Sequence, residues 1–286
     1  MGVLTLNDSH DLSTRYTLCR DVTNFLEVMR RSVKEDVDLS ANTRWWINGI
    51  CNILRSRPYI NGNVDDLLWF RANGLTDKDV VLDFGAGSGY ISLLLARLVK
   101  EVHGYEYVGN WIDQHLSCNE YVQGFEFCNR IVQKIRPNVR FSFYRRLPLP
   151  AEDAEYDSVV MYATLEHIER DLLSATLSEI RRVMKPNGRL FIAMLPRRYS
   201  YQECVARLLK IDAHSNLFDK TIVYRTLMSN NFKILRIERT GLSINYPQQI
   251  ADRLFPLTQK IERVLIQSPV SLFSHDYRVV AVQSRG

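Results

Sequence analysis

The reading turns on VLDFGAGSGY, residues 81–90. The apolar run DVVLDFG (79–85) ends in glycine, as a buried parallel strand does. Gly85, Gly87 and Gly89 then alternate with Ala86 and Ser88, and Tyr90 leads into the helical pattern ISLLLARLVK (91–100). Glycines at such a turn let the backbone bend sharply and approach a ligand with no Cβ in the way. In open parallel sheets, ligands bind off the carboxyl ends of the strands.

The neighbouring segments extend this unit. EVHGYEY (101–107), NVRFSFY (138–144), YDSVVMYA (156–163) and RLFIAMLP (189–196) read as further strands. A long helical stretch through 111–135 separates the second strand from the third. DLLSATLSEIRRVMKPNG (171–188) reads as a helix closed by a Pro-Asn-Gly turn. Strands alternating with helices predict an open parallel sheet with helices on both sides. After Pro196 the pattern loosens into a mostly helical piece, 200–230. Two late strands are expected at 232–241 and 275–284, around a helix at 250–267 interrupted by Pro256. Residues 1–75 read as helical, with a stop at Gly74.

Two ligand classes use a glycine turn of this kind. Dinucleotides use G-x-G-x-x-G. This chain has G-x-G-x-G, with Asp83 two residues ahead of it. A buried carboxylate suits a ligand carrying an ammonium and a sulfonium, which is S-adenosylmethionine. Glu106, at the end of the second strand, can accept hydrogen bonds from both hydroxyls of a ribose. Nicotinamide dinucleotide sites use an acid at the same place, so Glu106 indicates adenosine without choosing between the two. A tight turn with no ligand is the plain alternative for a glycine triplet. Asp83, Glu106 and the strand pattern together argue against it.

With these residues in view, the chain resembles class I S-adenosylmethionine-dependent methyltransferases of the broad type 11 group. The matching stretches are VLDFGAGSGY, the acid of GYEY, LPLPAEDAEYDSVVMYATLEHI (147–168) and RRVMKPNGRLFIAML (181–195). The resemblance covers roughly 79–196. It implies a Rossmann-like, seven-stranded methyltransferase sheet, closed by the two late strands as an antiparallel pair. The expected organisation is an N-terminal helical cap, 1–75, and a methyltransferase domain, 76–286. The motif core is 79–196, with insertions at about 197–231 and 244–274. By the same resemblance, Asp83, Gly85, Ala86, Gly87, Gly89 and Tyr90 hold the methionine side of the cofactor, and Glu106 with Tyr107 the ribose side. Such proteins often carry an acid after the third strand to meet the adenine. Here SFYRRLPLP (142–150) has none before Glu152, leaving backbone groups, Ser142 or Tyr144 for that contact.

Methyl transfer from a sulfonium is an in-line displacement, and a hydroxyl acceptor also needs a base. The end of the fourth strand offers Glu166 and His167. A neutral imidazole dominates at physiological pH. His167 is therefore either that base or a structural residue in an L-E-H stretch common to the family. Quinone-biosynthesis O-methyltransferases resemble this region with E-x-x-E-H, a set able to gather a divalent metal. Ala163 stands where its first Glu would be, so no metal is expected. The expected reaction is O-methylation of a small molecule, glycan or lipid-linked envelope intermediate. The alternative is a non-catalytic module that binds S-adenosylmethionine or S-adenosylhomocysteine for assembly.

Arg145-Arg146 and Arg197-Arg198 follow the third and fifth strands, on the ligand side. A planar guanidinium suits phosphate or carboxylate, so an anionic acceptor is one reading and solvated surface arginines the other. Nucleic acid is disfavoured as acceptor. MYAT (161–164) is not the N-P-P-Y-like tetrapeptide of amino-methylating DNA enzymes, and no P-C pair exists for cytosine chemistry. Trp45, Trp46 and Trp69 could form a lid or belong to the core. In the late insertion, Leu254, Phe255, Leu257, Ile261, Val264 and Leu265 alternate with Arg253, Lys260 and Arg263. This is compatible with peripheral contact to an anionic membrane or with packing on the sheet.

Composition bounds these readings. The chain has 286 residues, 46% apolar and 24% charged, with a net charge of +5, as for an ordinary globular protein. Its apolar run 91–99 is short and broken by Arg97, and MGVLTLNDSHD lacks a signal-peptide pattern. Five scattered cysteines without a C-x-x-C pair fit a reducing compartment. The expected location is cytoplasmic, with peripheral membrane contact as an option.

Overall fold

The computed structural model describes residues 8–108, 116–208, 216–242 and 248–284. Three helices come first: α1 (Asp8–Glu35), α2 (Ala41–Ile53) and α3 (Arg57–Ala72). The alternating unit follows as β1 (Val80–Phe84), α4 (Tyr90–Leu95), β2 (Glu101–Tyr107), α5 (Cys118–Ile135) and β3 (Val139–Tyr144). It continues through β4 (Tyr156–Tyr162), α6 (Leu173–Val183) and β5 (Met184–Pro196). The remainder is α7 (Tyr201–Leu208), α8 (Lys220–Ser229), β6 (Phe232–Thr240), α9 (Gln248–Leu265) and β7 (Asp276–Gln283).

The strands form one seven-stranded sheet in the order β3-β2-β1-β4-β5-β7-β6. β1 to β5 are parallel, whereas β7 runs antiparallel to both β5 and β6. The order reverses between β1 and β4, and open α/β sheets bind ligands off the carboxyl ends of the strands at such a point. Side chains alternate across the sheet. Val81 joins the core beneath α1–α5, while Leu82 and Phe84 face the core beneath α6 and α8. Phe70 of α3 lies against Phe191 of β5, their rings 4.8 Å apart, so α3 packs on the strands, and α1 packs in turn on α3, α4 and α5. Asp21 of α1 is buried and is held by both Arg97 and Arg136.

Several boundaries differ from expectation. Leu93, Leu94 and Leu95 are fully buried, but α4 ends at Leu95. Residues 109–115 of the expected helix 111–135 lie outside the described residues. α5 begins at Cys118, fixed by a capping box in which Ser117 and Glu120 satisfy each other's backbone N–H groups. Lys185–Gly188 does not separate helix from strand as a free turn. Met184 pairs with Tyr156 and Arg189 with Ser158, so these residues bulge within β5. Residues 209–215, within the expected helical piece 200–230, also lie outside the described residues. Pro256 does not interrupt the late helix. α9 runs through it as one helix, Gln248–Leu265. Of Trp45, Trp46 and Trp69, the last is buried, Trp46 packs edge-on against Tyr121 and Phe125, and Trp45 is exposed.

Candidate functional site

The glycine turn is shaped by what surrounds each glycine. Gly85, Gly87 and Gly89 all have positive φ (81°, 52° and 73°), which disfavours side chains. A Cβ on Gly85 would lie 2.4 Å from the Thr164 methyl, and one on Gly89 2.6 Å from the Phe141 ring. Gly87 differs, since a Cβ there would meet nothing nearer than Phe125 at 3.8 Å. The first and third glycines are thus demanded by close packing, while the second leaves a cradle open for a ligand. The N–H groups of Gly85 and Ala86 both donate to the Tyr105 carbonyl, at 2.8 and 3.1 Å, tying the turn to β2.

Asp83 is 1% exposed and accepts a 2.6 Å hydrogen bond from Ser92 Oγ in α4. Burial pushes its pKa up to about 6 against that bond. Glu106 is half-buried at the end of β2 and accepts the Gly87 N–H at 2.8 Å. Its pKa is pushed up to about 7 by burial, with the Gly87 bond opposing and the Asp83 charge adding. Tyr107 and Tyr144 are register partners across β2 and β3, their rings 5.5 Å apart, beside Glu106. They supply aromatic surface where an acid after β3 is missing. Tyr90 is buried, and its hydroxyl accepts from Asn63 Nδ2 at 2.5 Å. That hydroxyl therefore faces the N-terminal helices.

At the end of β4, Thr164 touches the turn through Gly85, and its hydroxyl donates to the Tyr162 carbonyl. Ala163 is held at φ 48°, a left-handed conformation that carries strain for an alanine. A short 3₁₀ turn, Leu165–His167, follows. Glu166 is 2% exposed, and its Oε2 has no hydrogen-bond partner. Its Oε1 lies 3.9 Å from His167 Nε2. Burial pushes the Glu166 pKa up to about 8, opposed only by its own backbone N–H. The His167 side chain is half exposed. Among the described residues, no group of three or more His, Cys, Asp or Glu could hold a metal ion.

The arginine pairs separate. Arg145, Arg146 and Arg198 are exposed. Arg197 is not. It is 4% exposed, and its guanidinium donates to the carbonyls of Ser271, Leu272 and Ser274 at 2.7–3.1 Å and to Ser274 Oγ at 2.6 Å. This corrects the expectation that Arg197 meets the acceptor, because its donors hold the turn before β7.

Sequence reading missed a buried polar network behind β4. The Tyr162 hydroxyl bonds to Asn63 and to Asp66, both on α3. Arg278 of β7 lies 3.6 Å from Asp66 and donates to Glu238. Burial raises the Asp66 pKa to about 6, with the Arg278 charge and the Tyr162 bond opposing. Asp276 is raised well above the usual range by burial and by the charges of Asp66, Glu166 and Glu203. The only available signal was polar residues within an apolar helical pattern at Asn63 and Asp66.

A doubly wound sheet with an open glycine cradle and a carboxylate at the end of β2 defines an adenosine-binding α/β protein. The family model described as a methyltransferase domain matches residues 53–237. The chain belongs to that family, and S-adenosylmethionine is its cofactor. A protein-L-isoaspartate O-methyltransferase of Dechloromonas aromatica is 28% identical over 138 residues, 48% of this chain and 53% of that protein. The chain thus spans about half the length of the curated relatives it matches. Among solved structures, a putative sarcosine dimethylglycine methyltransferase from Galdieria sulphuraria superposes with a TM-score of 0.53 at 14% identity, covering 79% of this chain and 86% of that one. A SAM-dependent methyltransferase from Methanosarcina mazei gives 0.52 at 18% identity, over 76% and 98%. At these identities the likeness is one of fold.

Proposed function

We propose that the chain methylates a hydroxyl of a small-molecule, glycan or lipid-linked acceptor, with Glu166 as the proton acceptor. The supporting observation is the unpartnered, buried Oε2 of Glu166. Buried polar atoms are nearly always bonded, and the exceptions concentrate where a ligand or reaction needs them. S-adenosylmethionine supplies a methyl group on a positively charged sulfur, open to in-line displacement. Gly87 and Glu106 seat its ribose end, and the cradle at Gly87 admits the rest. Thr164 sets the end of β4 against Gly85, and Glu166 follows two residues on, in the 3₁₀ turn.

Glu166 then takes up the proton that the acceptor hydroxyl loses as its oxygen–carbon bond forms. A carboxylate with a raised pKa is a better proton acceptor than an ordinary one. His167, 3.9 Å away and half exposed, is the route by which that proton reaches water. Arg145, Arg146 and Arg198 at the rim are the candidates for an anionic part of the acceptor.

Incubation with S-adenosylmethionine labelled in its methyl group, together with water-soluble and lipid extracts of cells, tests this reading. Label should enter a product stable to mild base, as an ether is, and Glu166→Gln should lose it while still binding S-adenosylhomocysteine by calorimetry. Base-labile label would mark a carboxyl ester and overturn the hydroxyl reading.

A further inference from the structure

The outer face of α9 has a pattern that the cofactor site does not use. Ile250, Leu254, Leu257, Ile261 and Val264 recur at alternating spacings of four and three, so they form one row along the helix. All five are 45–70% exposed. The 3₁₀ turn Pro269–Phe273 packs against α9 and exposes Val270, Leu272 and Phe273. Exposed apolar surface of this extent marks an interaction site.

Charge indicates what that surface meets. Arg253 is exposed beside the apolar row, and Lys260 falls seven residues on, at the same helical phase. Glu262 is turned inward, its carboxylate accepting the Leu242 N–H at 2.7 Å. The exposed row of α9 is thus apolar, with Arg253 at its margin and Glu262 turned away from it.

Pairing with a second copy fits this margin poorly. The same spacing could form a coiled-coil seam, flanked by Arg253 and Lys260 on one side and Ala251, Thr258 and Leu265 on the other. Whether the basic row faced its own kind or the Ala-Thr-Leu row, it would find no acid. An anionic bilayer provides both what the apolar row and what the basic margin require.

The surface is also tied to the site. Arg197, directly after β5, holds the Ser271, Leu272 and Ser274 carbonyls of the exposed turn. The apolar face is therefore fixed at the carboxyl end of the sheet, where an acceptor enters.

The geometry points to α9 and the turn Pro269–Phe273 as a docking face for an anionic lipid bilayer, which presents the acceptor to the site from the membrane. This deepens the proposed lipid-linked acceptor and rests on that reading for its purpose.

Sedimentation of the full chain with large vesicles tests it, using phosphatidylcholine alone and phosphatidylcholine mixed with phosphatidylglycerol. The protein should partition about tenfold more onto the mixed vesicles. Leu254→Glu with Leu257→Glu should abolish the binding, and Arg253→Glu with Lys260→Glu should remove the preference for phosphatidylglycerol. No vesicle binding, equal binding to both vesicles, or binding unchanged in both variants overturns the inference. So does a dimer, by light scattering, that the leucine variant dissociates. S-adenosylhomocysteine calorimetry on each variant reports its fold, and the basic-row variant carries the test if the leucine variant fails to bind. Should the wild type bind vesicles but not S-adenosylhomocysteine, the methyltransferase reading fails and the docking face stands.

Discussion

The carboxylate of Glu106 holds the backbone N–H of Gly87 at 2.8 Å, joining the end of β2 to the centre of the glycine turn. Its other oxygen is then directed by the first, so the acid is set in place before a ribose arrives. Glu106→Ala removes both the ribose acceptor and this brace, and should weaken S-adenosylmethionine binding at least tenfold, about 1.4 kcal/mol. The pH dependence has a definite sign. Ribose hydroxyls donate to the ionised carboxylate, whose pKa is about 7 in the free protein. Affinity should therefore fall as pH drops below about 7. Calorimetry at pH 6 and pH 8, roughly a unit either side of that value, should show the fall in the wild type and a flatter response in Glu106→Gln.

The glycines predict two different failures. Gly87→Ala and Gly89→Ala both place a side chain at positive φ, which costs about 1–2 kcal/mol. Of the two, Gly89 alone would also clash, with the Phe141 ring 2.6 Å from its added Cβ against 3.8 Å from Phe125 at Gly87. Gly89→Ala should show the larger drop in melting temperature, from a clash worth about 1–3 kcal/mol more. Gly87→Ala should stay folded yet lose S-adenosylmethionine binding, because its methyl fills the cradle. Thermal melts beside calorimetry separate the two, and a Gly87→Ala protein that binds normally would show that the cradle is not the binding surface.

This contrast also marks what was legible in the sequence. The glycine turn, Glu106 and the succession of strands along the chain are local patterns, each within a few residues, so they could be read directly. The fates of the glycines could not, since Phe141, Thr164 and Phe125 reach them from distant segments. Asn63 and Asp66 looked like ordinary helix residues until β4 brought Tyr162 against them. Arg197 and Arg198 are adjacent in sequence, and their opposite burial depends on a turn more than seventy residues away. Pro256 suggested a break because a proline removes one N–H from the helix, yet the helix continues through it.

Arg197 should therefore behave as a structural residue. Truncation to alanine would strand the carbonyls of Ser271 and Ser274 in a buried place, at about 1–3 kcal/mol for each unsatisfied group. Arg197→Ala should lower the urea midpoint by an amount equivalent to about 3 kcal/mol or more, while S-adenosylmethionine affinity changes little in the folded fraction. Arg198→Ala, exposed beside the Tyr199 ring, should leave the midpoint within about 0.5 kcal/mol. Equal effects of the two substitutions would contradict the buried assignment.

Glu166 should trade stability against turnover. Its pKa is about 8 in the folded chain and 4.5 without burial, so the folded state holds the extra proton between those values. Stability must then fall as pH rises through that window, and the full penalty is present above about 8. Glutamine carries no charge to desolvate, so Glu166→Gln should match the wild type near pH 4.5 and melt higher at pH 8. Turnover moves the other way. A base works only when ionised, so wild-type kcat/KM should climb toward pH 8, and Glu166→Gln should lose about 10²-fold or more with cofactor affinity intact. A merely structural carboxylate would give the stability change alone, with kcat/KM unmoved at every pH.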